Sequence, residues 1–450
     1  MRGEITLKYR LIGLLLILFS SLYSTCSYAQ DMTEPEIRVG IFSNQPNVVV
    51  SANTDFSIVS QDDKKVIGKY VSQQKVTISS LGTNITINGV AVNAKHLSVI
   101  FRADKGEYYT EVNKRRYRGQ IHIHQTNMKN GLTVVNALPV ELYLYGVIAK
   151  EISPDWPFEA VKAQAVAART YALNSMNKHK DDGYDVCATT DCQVYGGIDS
   201  EAPGALKAVD VTYGQAIFYQ SKLISAYFHS SSGGFTENSE NVWGAQLPYL
   251  RGVVDFDQNT PQYKWEKQFS VSELEDLLTR AGYKIGKLTA IELSPLSKPP
   301  VNSADRGISG RVKEVGLIGT TGNVYLTGNK LRSILSLKST LFDIGIVVPA
   351  QKTLEFEITD SFGDHQTKEV PVNLPSLERK EFLDKRNSLR RVTGQLNEKI
   401  TFSGFGWGHG LGLSQWGAKV MAETAPHGDD TYFKKILKHY YQGVDIQRAY

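Results

Sequence analysis

Cysteine is scarce in this sequence, with 3 residues among 450. So few cysteines exclude a small scaffold held together by many disulfides. Charge of one sign is not in excess either, because 50 Lys and Arg face 46 Asp and Glu, for a net charge of +4. This balance leaves no electrostatic footprint for nucleic acid, so no nucleic-acid partner is expected. With 41% hydrophobic residues, the chain can bury a large core and form more than one lobe.

Long apolar runs are also missing, except for one at the N-terminus. Residues 1–29 combine a basic start, an apolar run over Leu11 to Phe19 and a small-residue ending at Ala29. This layout is typical of a secretory signal peptide. Cleavage near Ala29 and export to the periplasm or to the cell surface and cell wall are therefore expected. Lipidation of Cys26 is the alternative, which Tyr23 disfavours because such signals prefer an aliphatic residue at that place.

The segment that follows is predicted to be rich in β-strands. Between Glu36 and Ile123, short runs of alternating and β-branched residues are separated by turn signals. Asn88-Gly89 is a typical two-residue hairpin turn. Residues 30–114 therefore form a β-rich N-terminal region in this interpretation, and they carry no cluster of chemically active side chains.

The most informative stretch runs from Tyr143 to Met176. An apolar run over Leu142 to Ala149 is typical of a strand and is followed by a single acid, Glu151. Pro157 then fits the first position of a long helix whose apolar stripe consists mostly of alanine. On the pattern alone, a carboxylate at such a junction is more often a helix cap or a solvated end than a catalyst.

A loop after this helix contains the only cysteines left after signal cleavage, Cys187 and Cys192. In an exported protein, the usual state of such a pair is a disulfide. Together with His179, the two thiolates also form a plausible zinc site, since zinc prefers sulfur and imidazole ligands in a tetrahedron. Both alternatives give the loop a structural clasp.

Two further stretches combine polar side chains with glycine. The first is FHSSSGGFT, which contains His229, and its hydroxyls suit recognition of a sugar, with Trp243 or Tyr249 available to stack on a pyranose ring. The second is GFGWGHGLGLSQWGA, in which His409 lies between glycines. So many glycines indicate a tight loop leading into a helix near Gln415. A serine nucleophile is disfavoured because the G-x-S-x-G pattern is absent.

These three stretches resemble the signatures of the SpoIID/LytB family, which contains the stage II sporulation protein D and amidase-enhancer proteins. The motif YLYGVIAKEISPDWPFEAVKAQAVAARTYA matches almost without interruption, and the other two follow in the family order, with Leu413 in place of the usual methionine. The resemblance covers roughly residues 115–270, 310–344 and 400–445.

The resemblance implies a lytic transglycosylase that acts on peptidoglycan glycan strands, those whose stem peptides have been removed. One acid can then act first as proton donor and later as base, because the 6-hydroxyl of the sugar itself attacks the anomeric carbon. Glu151 is the candidate for this acid. Lys162, Gln164 and Arg169 are predicted to be substrate-binding or scaffold groups. Further predicted substrate-binding residues are His229, Ser231, Ser232, His409 and Gln415.

The resemblance also implies one structural zinc. Family members hold it with a histidine before the second cysteine, and here that position is Asp191, so the expected ligands are His179, Cys187, Asp191 and Cys192. A Cys187 to Cys192 disulfide remains the alternative. A different function, a non-catalytic glycan-binding protein that enhances a cell-wall amidase, would need no proton donor.

The expected fold class is α+β, a β-rich N-terminal region followed by a mixed α/β catalytic domain of the SpoIID type. The predicted divisions are a signal peptide over 1–29, the β-rich region over 30–114, and the SpoIID/LytB domain over 115–450, with inserts near 271–309 and 345–398.

Overall fold

A computed structural model describes most of the chain after the predicted signal peptide. The described residues are 33–82, 84–101, 107–126, 131–301, 303–347, 353–359, 365–371, 388–394 and 397–450. The signal peptide, Cys26 and much of the predicted insert over 345–398 therefore lie outside the described residues. No helix within the described ranges is both long and apolar enough to cross a bilayer.

Strands and helices both make up the described chain, which confirms the α+β class. The helices are α1 Val140–Glu151, α2 Phe158–Asn174, α3 Pro203–Val211, α4 Ser239–Trp243, α5 Val271–Arg280, α6 Gly328–Leu335, α7 Gln415–Glu423 and α8 Tyr432–Tyr440, with short 3-10 turns at Lys180–Asp182 and Gly197–Ser200. The strands are β1 Glu36–Gln45, β2 Asn47–Ala52, β3 Phe56–Ser60, β4 Val66–Tyr70, β5 Val76–Leu81, β6 Asn84–Ile87, β7 Val90–Val92, β8 His96–Phe101, β9 Thr110–Val112, β10 Arg115–Tyr117, β11 Gln120–Gln125, β12 Leu132–Pro139, β13 Val186–Cys187, β14 Gln215–Tyr219, β15 Lys222–Leu223, β16 Phe228–His229, β17 Lys264–Ser270, β18 Leu288–Glu292, β19 Glu314–Gly319, β20 Asn323–Thr327, β21 Phe342–Val347, β22 Thr353–Thr359, β23 His365–Pro371, β24 Leu389–Arg391, β25 Lys399–Phe405, β26 Leu413–Ser414 and β27 Asp445–Arg448.

The N-terminal region consists of two sheets. One has the strand order β13-β1-β12-β11-β8-β3-β4 and the other β10-β9-β2-β5-β6-β7. The predicted hairpin is confirmed, since Asn88 and Gly89 join β6 to β7 with φ values of 50° and 82°. Strand β1 pairs antiparallel with β12, with Ile37 opposite Leu138. Strands before and after residue 114 thus share one sheet and one hydrophobic core.

The predicted strand over Leu142 to Ala149 is wrong, because these residues belong to helix α1. The preceding strand is β12, and the chain turns into the helix at Val140. The sequence concealed this helix because it is apolar around most of its circumference, and an element buried on several sides does not show the polar face that reveals helical periodicity.

Helix α2 lies at the centre of the first core. All residues from Ala160 to Thr170 are buried, and α2 contacts α1, α3, α7 and α8. Its alanines allow these neighbours to approach closely because a methyl side chain adds little width. Four packed helices therefore surround the predicted alanine helix, and α1 brings Glu151 to its N-terminal end.

A second core lies under residues 265–402. It consists of the sheets β17-β25-β21 and β20-β19-β18-β24 with helices α5 and α6. Helix α5 begins with a capping box between Ser270 and Glu273. The glycine-rich loop that follows β25 leads back from this second core to α7 in the first core. The loop therefore lies where the two cores meet.

Candidate active site

Glu151 is the last residue of α1, which ends because Ile152 adopts an extended conformation. Its Oε1 accepts a hydrogen bond of 3.1 Å from the backbone N–H of Val194. The side chain is largely shielded from water, and this burial raises the pKa of Glu151, an effect that the Val194 bond opposes. The protein thus favours the neutral form of this carboxyl more than water does.

The sequence left open whether Lys162 would hold Glu151 in its charged form. Lys162 is 4% exposed, forms an ion pair with Glu159 and donates to the backbone carbonyl of Asp430. It therefore serves to attach α8 to the start of α2. No neighbouring charge is among the causes of the raised Glu151 pKa.

Aromatic side chains lie on the segments that precede and follow Glu151 in the chain, Tyr143 in α1 and Trp156 before α2. Trp156 lies against Trp416 with ring centroids 4.5 Å apart, and the N–H of Trp416 donates to the carbonyl of Ser230. Tyr143 is fully buried, and its hydroxyl donates to Oε1 of Gln193 over 3.1 Å. Apolar rings of this kind provide the poorly solvated surroundings that a general acid needs.

The cysteine loop brings together the four expected ligands His179, Cys187, Asp191 and Cys192. One ligand atom from each lies within 4.8 Å of the others, and the two cysteines are not bonded to each other. Nε2 of His179 lies 3.4 Å from Sγ of Cys192 and 3.3 Å from Oδ2 of Asp191. Both Sγ atoms lie 3.8 to 3.9 Å from Oδ2 of Asp191.

These distances fit a tetrahedral zinc site. Zinc bonds to sulfur at about 2.3 Å and to nitrogen or oxygen at about 2.0 to 2.2 Å, which separates the ligands of a tetrahedron by about 3.3 to 3.8 Å. Nδ1 of His179 is 3.2 Å from Asp182, the kind of outer contact that orients metal-binding histidines. We therefore propose that these residues hold one structural zinc, with Asp191 in the place of the family's histidine.

We predict that purified protein contains one zinc ion per chain and that a Cys187→Ser, Cys192→Ser double variant contains none. The variant should also unfold at a lower temperature, since metal binding adds to folding free energy. Elemental analysis, a free-thiol assay and thermal denaturation measure these quantities. Finding neither zinc nor a bond between the two cysteines would refute the clasp.

A clasp at this loop would also determine the position of the partner of Glu151. Only Gln193 lies between Cys192 and Val194, the residue that donates to Glu151. Gln193 is 1% exposed and is held at both ends of its amide, by Tyr143 and by the carbonyl of Ala168. A clasp that fixes this loop therefore fixes the N–H that reaches the carboxyl.

The serines of the FHSSSGGFT stretch have scaffold roles. Ser231 and Ser232 are 0% exposed. Ser231 donates to Asp257 over 2.5 Å and Ser232 donates to Asp255 over 2.6 Å, while the N–H groups of the next two residues also reach Asp257. Tyr440 of α8 donates to Asp255. These hydroxyls are used inside the protein, so a direct contact with a glycan is not available to them.

His229 and His409 are neighbours, with ring centroids 5.4 Å apart and ring planes tilted by 56°. The backbone of Leu411 joins them, since its carbonyl accepts from Nδ1 of His229 over 3.1 Å and its N–H donates to Nδ1 of His409 over 3.0 Å. Gly408 permits this approach, because a Cβ there would lie 2.7 Å from Cβ of His229. Burial, reinforced by nearby arginines, lowers the pKa of His409 to about 3, so the ring is neutral.

The other predicted binding residues are buried in the first core. Gln415 is 8% exposed and donates to Gln164, which is 0% exposed. Arg169 is 0% exposed and forms an ion pair with Glu141. For Gln164 and Arg169, as for Lys162, these contacts favour the scaffold alternative, and Gln415, predicted to bind substrate, is likewise engaged inside the protein. Among the predicted catalytic and substrate-binding residues, Glu151 and His409 remain partly accessible.

Sequence reasoning missed Asp255 and Asp257, the acids that hold the serine loop. Both are 0% exposed. The pattern VVDFDQ offered a signal, because alternation places the two acids on one side of an extended segment.

Two shallow surface depressions lie away from Glu151. One, of about 300 Å³, is lined by residues such as Phe101 and Arg118. The other, of about 220 Å³, includes His96, His122 and His124. Glu151 lines neither of these depressions.

Comparison with known proteins agrees with the site. A family model described as Stage II sporulation protein matches residues 128–219, which contain Glu151 and the clasp, and a domain of unknown function (DUF8618) matches residues 248–360. Stage II sporulation protein D of Bacillus amyloliquefaciens is 31% identical over 335 residues, covering 70% of this chain and 76% of that protein.

Two further relatives extend the comparison. An uncharacterized protein of Brachyspira hyodysenteriae is 34% identical over 316 residues, which cover 70% of this chain and 68% of the relative. The amidase enhancer of Bacillus subtilis is 29% identical over 383 residues, which cover 81% of this chain and about half, 49%, of that protein. The chain therefore belongs to the SpoIID/LytB family, as its motifs predicted.

Proposed function

We propose that this protein is a lytic transglycosylase that cleaves peptidoglycan glycan strands with Glu151 as its acid and base. Membership of the SpoIID/LytB family gives it a cell-wall-related role, and the proposal makes that role specific. The observation that carries it is a single shielded carboxyl whose pKa is raised by burial and by no neighbouring charge.

A single acid suits this reaction better than hydrolysis. Glycoside hydrolysis usually requires two carboxylates on either side of the scissile bond, and no second carboxylate influences Glu151 within the described part of the chain. In the proposed reaction, Glu151 gives its proton to the glycosidic oxygen as the bond to the anomeric carbon breaks. The 6-hydroxyl of the same sugar then attacks that carbon and returns its proton to Glu151, leaving a 1,6-anhydro end.

This function places the protein outside the cytoplasm, where the predicted signal peptide would deliver it. Release of 1,6-anhydro ends from peptide-free glycan strands, measured by mass spectrometry, tests the activity. Strands that remain intact would refute it for this substrate.

The raised pKa of Glu151 gives a pH prediction. The acid must be protonated at the first step, so kcat/KM should fall as the pH rises through the pKa of Glu151, and this fall should occur above the ordinary range of an exposed glutamate. Initial rates measured from about pH 4 to pH 9 with soluble strands test this. A profile that falls only near the ordinary glutamate value would contradict the shielded acid.

The alternative is a non-catalytic glycan-binding protein that enhances a cell-wall amidase. The observation that favours it is the similarity to a protein named amidase enhancer. Such a protein would bind strands without forming anhydro ends and would accelerate a purified cell-wall amidase equally well with Glu151 or Gln at this position. The two functions therefore differ in their response to one substitution.

A further inference from the structure

Arg332 in α6 has no counter-ion among the residues that the structure describes. Its Nε donates to the carbonyl of Leu337 over 3.2 Å, and burial lowers its pKa. No carboxylate within the described ranges forms an ion pair with it. Other shielded arginines do have such partners, in the pairs Arg118 with Glu201, Arg169 with Glu141, and both Arg306 and Arg390 with Asp343.

An unpaired cation in partly desolvated surroundings is costly unless an anion meets it. Arg311, also without an ion pair, differs from Arg332 in being 2% exposed and in donating to the carbonyls of Ser232 and Gly408. Arg332 as a whole residue is only partly buried. It is therefore the arginine that a ligand could reach.

The surroundings of Arg332 are aromatic and basic. Asn329 lies one turn earlier on the same helix face and donates to the carbonyl of Val242. This contact brings the helix face beside the next residue, Trp243, whose side chain is 47% exposed.

On the other side of Arg332, Lys338 directly follows Leu337, whose carbonyl accepts from Arg332. The Nζ of Lys338 lies 4.7 Å from the ring centroid of Trp407, which is 42% exposed. We call Arg332, Lys338, Trp243 and Trp407 the Arg332 rim.

A row of rings leads from the rim to the cysteine loop, where Tyr171 donates to the carbonyl of Asp191 and Val194 donates to Glu151. Tyr171 lies 6.1 Å from Tyr227, and Tyr227 lies 4.3 Å from Trp243, measured between ring centroids. His409 also contacts this row, 4.9 Å from Trp243. Arg332 lies close enough to His409 for its positive charge to contribute to the lowered pKa of that histidine. One extended polymer could therefore touch the rim and Glu151 together.

The chemistry of the rim fits an anionic sugar. Open indole rings stack on pyranose faces, and a guanidinium binds a carboxylate with two parallel hydrogen bonds. In peptidoglycan, the lactyl group of muramic acid is a neutral amide while the stem peptide is attached. Hydrolysis of that amide leaves a carboxylate. Removal of the peptide therefore creates the negative charge that could pair with Arg332.

We propose that Arg332 and Lys338 bind the lactyl carboxylate of a muramic acid residue whose stem peptide has been removed, while Trp243 and Trp407 hold the sugar. This inference rests on the proposed function and names the group by which that site distinguishes its substrate. The reaction that supplies the substrate must then be hydrolysis of the lactyl amide. With the stem peptide still attached, the lactyl group is a neutral amide and offers Arg332 no carboxylate at that position.

Binding to two chemically matched ligands tests the proposal. Peptide-free strands with free lactyl carboxylates are compared with the same strands after conversion to neutral methylamides, by calorimetry with the Glu151→Gln protein. We expect about ten- to hundredfold tighter binding of the carboxylate form, the range of charge-assisted hydrogen bonds. Adding Arg332→Gln should remove the preference while leaving affinity for methylamide strands within about threefold.

Arg280→Gln is the matched control. Arg280 is the last residue of helix α5, and its Nε also donates to a backbone carbonyl, but its side chain is exposed on the surface of the protein. This variant should keep the full preference. Lys338→Gln should weaken the preference without affecting folding, which covers the case that Arg332→Gln unfolds. Equal binding of both ligands, no binding of either, or a preference that survives both substitutions would overturn the inference. A wild-type protein that shows the preference but forms no anhydro ends would refute only the transglycosylase.

Discussion

Glu151→Gln is expected to lower the formation of 1,6-anhydro ends by about 10²- to 10⁴-fold, the usual contribution of a general acid and base. Glutamine has nearly the same shape and its side-chain oxygen can still accept from the N–H of Val194. It cannot give a proton to the glycosidic oxygen, so binding should persist while chemistry stops. Mass spectrometry of digested strands and calorimetry on intact strands measure the two effects separately.

The stability of this variant provides an internal check. Because burial raises the pKa of Glu151, the folded protein binds more protons than the unfolded chain between the ordinary and the raised value. The free energy of unfolding therefore falls as the pH rises through this window. Above the window, burial of the charged carboxyl lowers the free energy of unfolding by the full cost of desolvating that charge. Glu151→Gln removes that cost, so its melting temperature at neutral pH should equal or exceed that of the wild type.

Asp155→Asn is the matched control for this prediction. Asp155 is an exposed carboxylate in the same corner of the chain, and its loss should change the rate less than about threefold, as for surface charges away from chemistry. If Glu151→Gln still forms anhydro ends at the wild-type rate, Glu151 is not the acid. If neither protein forms them while both bind strands and stimulate an amidase, the enhancer becomes the better account.

Much of the fold was predictable because its signals are local. The alanine helix, the amphipathic helix α5 and the Asn88-Gly89 turn each follow from periodicity or turn chemistry within a few residues. Helix α1 was not predictable in the same way. Its polar face is almost absent, so the same residues are equally compatible with a buried strand. Only the packing of this segment against α2 and α3 shows that it is a helix.

The site shows the same division between local and distant information. The position of Glu151 beside the start of α2 followed from the motif, but the roles of Lys162 and Ser231 did not. Their partners, the carbonyl of Asp430 and the carboxylate of Asp257, come from other parts of the chain. A motif states which residues recur together, and it does not state whether a polar side chain faces the substrate or holds the scaffold.

Arg169 provides the sharpest test of that distinction. The guanidinium is 0% exposed, and it binds Glu141 through two hydrogen bonds of 2.8 and 2.7 Å. Its remaining N–H groups reach Thr212 and the carbonyls of Val209 and Gln215. All five donors of the guanidinium therefore have partners inside the protein, and none is left for a ligand.

Arg169→Met is therefore expected to lower the free energy of unfolding by about 3 to 5 kcal/mol, the cost of leaving a buried carboxylate without its partner. Arg169→Lys should recover little, since an ammonium group cannot form the two parallel bonds to Glu141. Changing Glu141 to Gln together with Arg169→Met should recover part of the loss, because no uncompensated charge then remains. Urea denaturation of these variants, with Arg280→Met as the exposed control, measures the difference. A folded, fully stable Arg169→Met protein that binds strands weakly would instead assign Arg169 to the substrate.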